Sequence, residues 1–189
     1  LWDTKNNFSQ KVLYKNPSLG GRTAALSSVG FTNDGKRIVI GDANGQVKLV
    51  IIDNPASPRI LTGHEATIEH IVFNHNGRFM ATASADKTVR LWNLDRLNQQ
   101  PIVLEDHKDW VRTAVFTLDD EQLLAGINSN TEKQKETIHA WPTKVETMAG
   151  LLCGYVRRNM TDEEWDIYVD EDPELATEKT CANIQDKKN

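Results

Sequence analysis

An all-β fold, built from four-stranded antiparallel units in series and followed by a small α-helical tail, is predicted by three features of the 189-residue sequence. The chain repeats itself at intervals of 42 and 43 residues, marked by Phe31, Phe73 and Phe116. Each repeat alternates apolar and polar residues between turn signals, as half-buried strands do. After residue 143 the alternation gives way to helical spacing.

The period comes first, because it sets the architecture. Val29–Gly35 aligns with Ile71–Gly77 and Ala114–Asp120, and steps of this size match propeller blades of about 40–45 residues. The second full unit shows its four strands most plainly: Ile68–Phe73, Arg78–Ser84, Thr88–Asn93 and Pro101–Leu104, with turns at His75–Gly77 and Ala85–Lys87. Asn76-Gly77 and Asn44-Gly45 supply the positive backbone angles that tight hairpins need. Val89 and Leu91, like the equivalent Val47 and Leu49, are expected to face one neighbouring blade. The reading is a partial β-propeller over 1–143, with blades at 21–63, 64–106 and 107–143 after a partial blade at 1–20. In that partial blade Leu1-Trp2-Asp3 reads as the end of a third strand and Lys11–Lys15 as an outer strand. Seven blades would need about 300 residues, so the chain reads as a portion of a longer polypeptide. In the alternative, Lys11–Lys15 of one copy completes the Trp141 blade of another, and two copies close one six-bladed ring.

Gly63-His64 opens the second unit, Ser84-Ala85-Asp86 closes its second strand and Val89–Asn93, with Trp92, ends its third. This pattern resembles the WD-repeat (WD40) family. The same residues make physical sense as a buried polar relay, His64 bridging Asp86 and Thr82, and Thr82 reaching the indole of Trp92. Such a network is favourable only when every member is satisfied. The resemblance implies that these four residues are scaffold and not catalysts. In the preceding unit the matching positions are Ile40, Asn44 and Val50, so apolar packing is expected to hold that blade. The last unit keeps His107 and Trp141, and the 49 residues from Trp92 to Trp141 leave room for a polar loop at Asn128–Glu136.

Beyond the blades, Val145, Met148, Leu151, Leu152 and Tyr155 are spaced for one face of a helix. Thr161–Glu164 fits a capping box opening a second helix with Trp165, Tyr168 and Val169 on its apolar side. The expected tail covers 144–181, and the polar residues 182–189 are expected to be disordered. Leu151–Cys153, Arg158–Thr161, Glu164-Trp165 and Thr180-Cys181 are similar to the tail that follows the propeller in many bacterial WD-repeat proteins. Those often carry an upstream caspase-like, TIR or STAND-type ATPase module, so the resemblance implies an upstream domain and a scaffold or sensor role in a larger signalling or effector protein. Cys153 and Cys181 lie outside the repeats and form no C-x-x-C pair, leaving both a disulfide and two reduced thiols open.

Composition removes several function classes. A formal charge of -5 disfavours a phosphate backbone as partner. No apolar run approaches the roughly 20 residues that span a bilayer, and no signal peptide is visible at Leu1–Phe8, so a cytoplasmic location is expected. His64, His70, His75, His107 and His139 show no metal-ligand spacing, no G-x-S-x-G elbow occurs, and Asp34-Gly35-Lys36 is a hairpin turn. Asp162, Glu163, Glu164 and Asp166 read as a capped helix start. The expectation is therefore no catalytic residue, no metal and no cofactor.

The resemblance implies a protein partner on the narrow end of the propeller, where the matching positions are Ala25, Ser27, Thr67, Glu69, Ala85, Trp110 and Arg112. Trp110 and Arg112 stand two apart on a strand, hence on one face, and both residue types dominate interface hot spots. In the competing reading Trp110 packs on the neighbouring blade and Arg112 pairs with Asp109 or a similar acid. The function expected is a non-catalytic protein-interaction scaffold or sensor. A self-associating homo-oligomer and a small-ligand sensor using the central channel are carried as alternatives.

Overall fold

A computed structural model of the chain describes residues 2–3, 9–10, 12, 14, 24–105, 107–128, 138–144 and 147. The chain divides into two compact units, 1–141 and 142–189. Apart from Lys144 and Thr147, the tail expected at 144–181, both cysteines and the terminal segment lie outside the described residues, as does most of the Asn128–Glu136 loop.

The described strands form four sheets, in each of which neighbours follow chain order. The first pairs β1 (Trp2–Asp3) with β2 (Ser9–Gln10). The next holds β3 (Leu26–Phe31), β4 (Arg37–Asp42), β5 (Val47–Ile51) and β6 (Asn54–Leu61). The third holds β7 (Ile68–Phe73), β8 (Phe79–Ser84), β9 (Val89–Asn93) and β10 (Ile102–Leu104). The last holds β11 (Val111–Phe116), β12 (Gln122–Ile127) and β13 (Ile138–Pro142). We call the last three sheets blades A, B and C. Their strands pair antiparallel, giving the all-β, blade-by-blade fold that the period implies.

Two strand boundaries in blade B start one residue later than alternation suggests, because turns claim the amides. Arg78 N–H donates to Asn76 Oδ1 (2.9 Å) and Thr88 N–H to Asp86 Oδ1 (2.9 Å). Pro101 has no N–H to offer and stands just outside β10. The outer strand expected at Lys11–Lys15 is displaced: register places Trp2 opposite Gln10 and Asp3 opposite Ser9, while Val12 and Tyr14 lie outside any strand. Pro55 and Pro58 fall on β6, which among the described residues pairs with β5 alone, an edge that tolerates missing donors.

The first hairpin turn of each blade is built alike. A side-chain oxygen of Asp34, Asn76 or Asp119 accepts the amide two residues on, from Lys36, Arg78 and Glu121. The residue after each of these acceptors has positive φ: Gly35 (66°), Gly77 (73°) and, in blade C, Asp120 (57°). Asp120 stands where glycine is easier, but its carboxylate reaches the blade B turn and accepts from the His75 amide (2.8 Å), His75 Nδ1 (3.0 Å), the Asn76 amide (3.0 Å) and Asn74 Nδ2 (3.2 Å). Burial would raise its pKa, but these donors hold it below the usual carboxylate value.

Apolar layers between the blades complete unit 1–141. Val39, Val47, Leu49 and Leu61 of blade A pack with Ile68, Ile71, Met80 and Trp92 of blade B. Ala81, Ala83, Val89 and Leu91 on the other face of blade B meet Val111, Ala114, Phe116 and Leu123 of blade C. Val47 with Leu49, and Val89 with Leu91, thus each face the following blade. Ile38, Ile40 and Val50 form a third cluster with Tyr14 and Ile52. Blade A is not held by apolar packing alone, because Asp42 and Lys48, 1% and 3% exposed, form a buried ion pair. Desolvation makes such a pair costly to break from one side.

Blades A and B approach closely at Gly41, where a Cβ would lie 2.6 Å from Ile68 Cβ and Cγ2. Since Ile68 is fully buried, Gly41→Ala is expected to destabilise by about 1–3 kcal/mol through overpacking. In a double-mutant cycle read by urea unfolding, Gly41→Ala should cost less in an Ile68→Ala background, which lacks the Cγ1 and Cγ2 atoms the new methyl would meet, and strictly additive effects would contradict the contact.

Candidate functional site

The polar relay of blade B draws on a loop, a turn and two strands. His64 lies in the loop entering β7, Thr82 in the middle of β8, Asp86 in the β8–β9 turn and Trp92 on β9. His64 Nδ1 is 2.8 Å from Asp86 Oδ2, His64 Nε2 is 2.7 Å from Thr82 Oγ1, and Trp92 Nε1 donates to Thr82 Oγ1 at 3.0 Å. One direction of donation satisfies a neutral imidazole: indole to hydroxyl, hydroxyl to Nε2, and Nδ1–H to carboxylate. Thr82 is fully buried and His64 nearly so, so each bond is made away from competing water.

The surroundings add partners that the sequence reading omitted. Asp86 Oδ1 accepts from Thr88 N (2.9 Å) and Thr88 Oγ1 (2.8 Å), and Oδ2 also takes the Glu65 amide (3.1 Å). Ser84 Oγ accepts the Asp86 amide (3.1 Å), and Arg90 Nη2 donates to the Gly63 carbonyl (2.7 Å). Polar residues at every second place around Asp86 are the sequence signal for this shell. Burial pushes the Asp86 pKa up, but the hydrogen bonds it accepts from His64 and Thr88 outweigh it and hold the carboxyl well below its ordinary value.

Blade C carries a different arrangement. Backbone bonds align the blades, since Ala85 N–H reaches Thr67 O just as Asn128 N–H reaches Trp110 O. By that register Ala125 takes the place of Thr82. His107 and Trp141 meet ring to ring, with centroids 4.7 Å apart, and His139 stacks on Trp141 at 5.5 Å.

The candidate partner positions share one end of the blades. Each first strand carries a one-residue register shift against its neighbour, between Leu26 and Ser28, Ile68 and His70, and Val111 and Thr113. The extra residues are Ser27, Glu69 and Arg112, and bulges of this kind re-aim side chains. Ala25, Thr67 and Trp110 lie two residues earlier, with their carbonyls tied to Ala43, Ala85 and Asn128. Ala25, Ser27, Trp110 and Arg112 are exposed, while Thr67, Glu69 and Ala85 are half-buried.

The structure brings three of these seven into contact. Arg112 Nη1 donates to Glu69 Oε2 at 2.7 Å, joining blades B and C, and the Arg112 guanidinium sits 5.0 Å from the Trp110 ring centre. The acid that pairs with Arg112 is Glu69, whereas Asp109 accepts the Trp110 amide (2.8 Å). Trp110 is 44% exposed. Ser27 has no hydrogen bond to this pair, and Thr67 Oγ1 turns to the Ala43 carbonyl (3.3 Å). Among the described residues no group of three or more His, Cys, Asp or Glu is placed to hold a metal ion.

Comparison with known proteins follows the same repeat. Residues 56–93 match the family described as "WD domain, G-beta repeat". The chain is 30% identical over 118 residues to DDB1- and CUL4-associated factor 10 of Xenopus tropicalis, covering 60% of this chain and 25% of that protein. It is 30% identical over 117 residues to WD repeat-containing protein 37 of Mus musculus, covering 61% and 23%. U3 small nucleolar RNA-associated protein 15 of Saccharomyces cerevisiae is 31% identical over 91 residues, covering 47% and 18%. The chain thus spans a quarter or less of the length of these relatives. A chain in the crystal structure of a mitotic checkpoint complex shares its fold, with a TM-score of 0.61 over 76% of this chain and 41% of that one, at 20% identity.

Two outcomes test the relay. Thr82→Val keeps shape but leaves the Trp92 N–H and His64 Nε2 without their shared partner, so a loss of about 2–5 kcal/mol is expected in urea unfolding. Thr82→Ser should cost about 1 kcal/mol, as for a buried methyl. Because the folded pKa of Asp86 is depressed, its contribution is complete above the unfolded carboxylate value near 4 and is lost as pH falls through the lower folded value. Urea midpoints measured across acid pH should therefore fall less steeply in Asp86→Asn than in the parent chain.

Proposed function

We propose that this chain, a run of WD40-repeat propeller blades, is a non-catalytic protein-interaction scaffold or sensor portion of a larger, bacterial signalling or effector protein of the cytoplasm. One observation carries the reading: the successive first strands bulge at the same place, and two of the three bulges place Glu69 and Arg112, with Trp110, on one accessible rim. Tryptophan and arginine are the residue types that concentrate binding energy in protein interfaces. The five histidines are engaged elsewhere, which argues against acid–base work: His64 in the relay, His70 against the Ala114 carbonyl (3.0 Å), His75 on Asp120, and His107 and His139 against Trp141. The bacterial setting and an upstream domain rest on the resemblance of the tail.

Self-association is the second reading, favoured by apolar faces at both ends of the blade series. Leu26, Val29 and Phe31 of blade A are 48%, 65% and 50% exposed, whereas the equivalent Ile68 and Ile71 of blade B are 0% and 6% exposed. Val115 and Ile138 of blade C are likewise exposed. Further blades of the same polypeptide, or a second copy, would cover such faces. Light scattering separates the two: a chain that stays monomeric at high concentration eliminates the copy-closed ring.

The interaction reading is tested by a photo-crosslinking amino acid placed singly at Ala25, Ala85, Asn33 or Leu118 in cells that make the protein. Saturable protein adducts are expected from Ala25 and Ala85, on the rim, and not from Asn33 and Leu118 in the first hairpin turns at the opposite end. Equal adducts from both ends, or none, would contradict it.

A further inference from the structure

We infer that the rim site at Trp110 and Arg112 takes an acidic peptide segment, one carboxylate beside an apolar side chain; this rests on the interaction reading above. The argument is an inventory of donors and acceptors. Arg112 is 45% exposed at its side chain and uses Nη1 alone, on Glu69. Among the described residues nothing bonds its Nε and Nη2, the edge of the guanidinium whose two parallel N–H groups match a carboxylate. Each nearby carboxylate has one oxygen engaged, Glu69 Oε2 by Arg112 and Asp109 Oδ1 by the Trp110 amide. The open Nε and Nη2 edge offers two parallel donors on a permanent positive charge, the geometry that suits a carboxylate.

The remaining features fit the same occupant. Lys87, in the neighbouring β8–β9 turn, donates to the Lys108 carbonyl (3.3 Å), adding a second positive charge at this seam between blades B and C. The guanidinium is held from two sides, by Glu69 and by the Trp110 ring at 5.0 Å, so little side-chain freedom is lost when a ligand arrives. Trp110 keeps an open apolar surface next to that charge. A lone carboxylate would leave this surface wet, whereas an apolar neighbour on the same peptide covers it.

The test uses the 189-residue chain, with indole N–H resonances followed by NMR during titration with a blocked peptide of alternating leucine and glutamate. Its glutamine counterpart is the control. The glutamate peptide is expected to shift the Trp110 resonance saturably, leave Trp92 in place, and bind about tenfold or more tightly than the glutamine peptide, the scale of a charge-assisted bond. Arg112→Gln should erase that preference, and Arg112→Lys should recover only part of it, because an ammonium lacks the fork. Both variants alter an exposed pair, so their melting should stay close to that of the parent. Equal binding of the two peptides, or an unchanged preference in Arg112→Gln, would overturn the inference. Rim adducts that persist in Arg112→Gln, in a chain that shows no glutamate preference, would sink the acidic-peptide assignment and leave the interaction reading standing.

Discussion

The Thr82 hydroxyl, shared between the imidazole of His64 and the indole of Trp92, is the interaction on which the central blade depends. One oxygen, fully buried, fixes the distance between the loop entering β7, the second strand and the third strand. Asp86 closes the circuit by orienting the imidazole and receiving the amides and hydroxyl of the β8–β9 turn. If either end of the circuit moved, a polar group would be stranded among Ile68, Ile71, Met80 and Trp92, at a cost comparable to the whole margin of stability of a small domain when several such groups are involved. Specificity of geometry, more than net energy, is what such a network contributes.

The neighbouring blades reach similar geometry by other chemistry. In blade A the position of Thr82 is Ile40 and that of Trp92 is Val50, both buried in an apolar cluster, and the polar requirement shifts to Asp42 and Lys48. There the Asp42 carboxylate accepts the Asn44 and Gln46 amides (2.9 and 3.0 Å), doing for the β4–β5 turn what Asp86 does for β8–β9. In blade C the hydroxyl is absent at Ala125 and the aromatic rings touch directly. What the blades share is backbone: the same first turn, the same bulge in the first strand and the same amide-to-carbonyl bond ahead of it. The bulge lifts Ser27, Glu69 and Arg112 out of the apolar alternation of the first strands.

Legibility in the sequence followed locality. The strands of blade B could be read from alternation and from Asn76-Gly77, because pleat and turn chemistry are properties of neighbouring residues. The hydrogen bonds among His64, Thr82, Asp86 and Trp92 join the residues to which the resemblance to WD repeats points. The Asp42–Lys48 pair was missed because a charge within an apolar strand reads as outward-facing, and only the cross-strand register brings the two together. The choice of Glu69 over Asp109 as partner of Arg112 also depends on how two blades meet, which no single strand records. Asp120 looks like a departure from the Gly35 and Gly77 pattern until its reach to the next turn is known. The outer strand at Ser9–Gln10 was misplaced by alternation in Lys11–Lys15, a segment too short for its period to outweigh register.

Hydrogen exchange of the indole N–H groups tests the central claim most directly, since Trp92 and Trp110 serve as an internal pair in one spectrum. If Thr82 holds the Trp92 indole in a closed buried circuit, that proton should exchange as slowly as the Ala81 and Ala83 amides of β8, while the half-open Trp110 indole exchanges at once. Equally rapid exchange at both indoles would contradict the account, because it would show that the Thr82 bond opens without the blade unfolding.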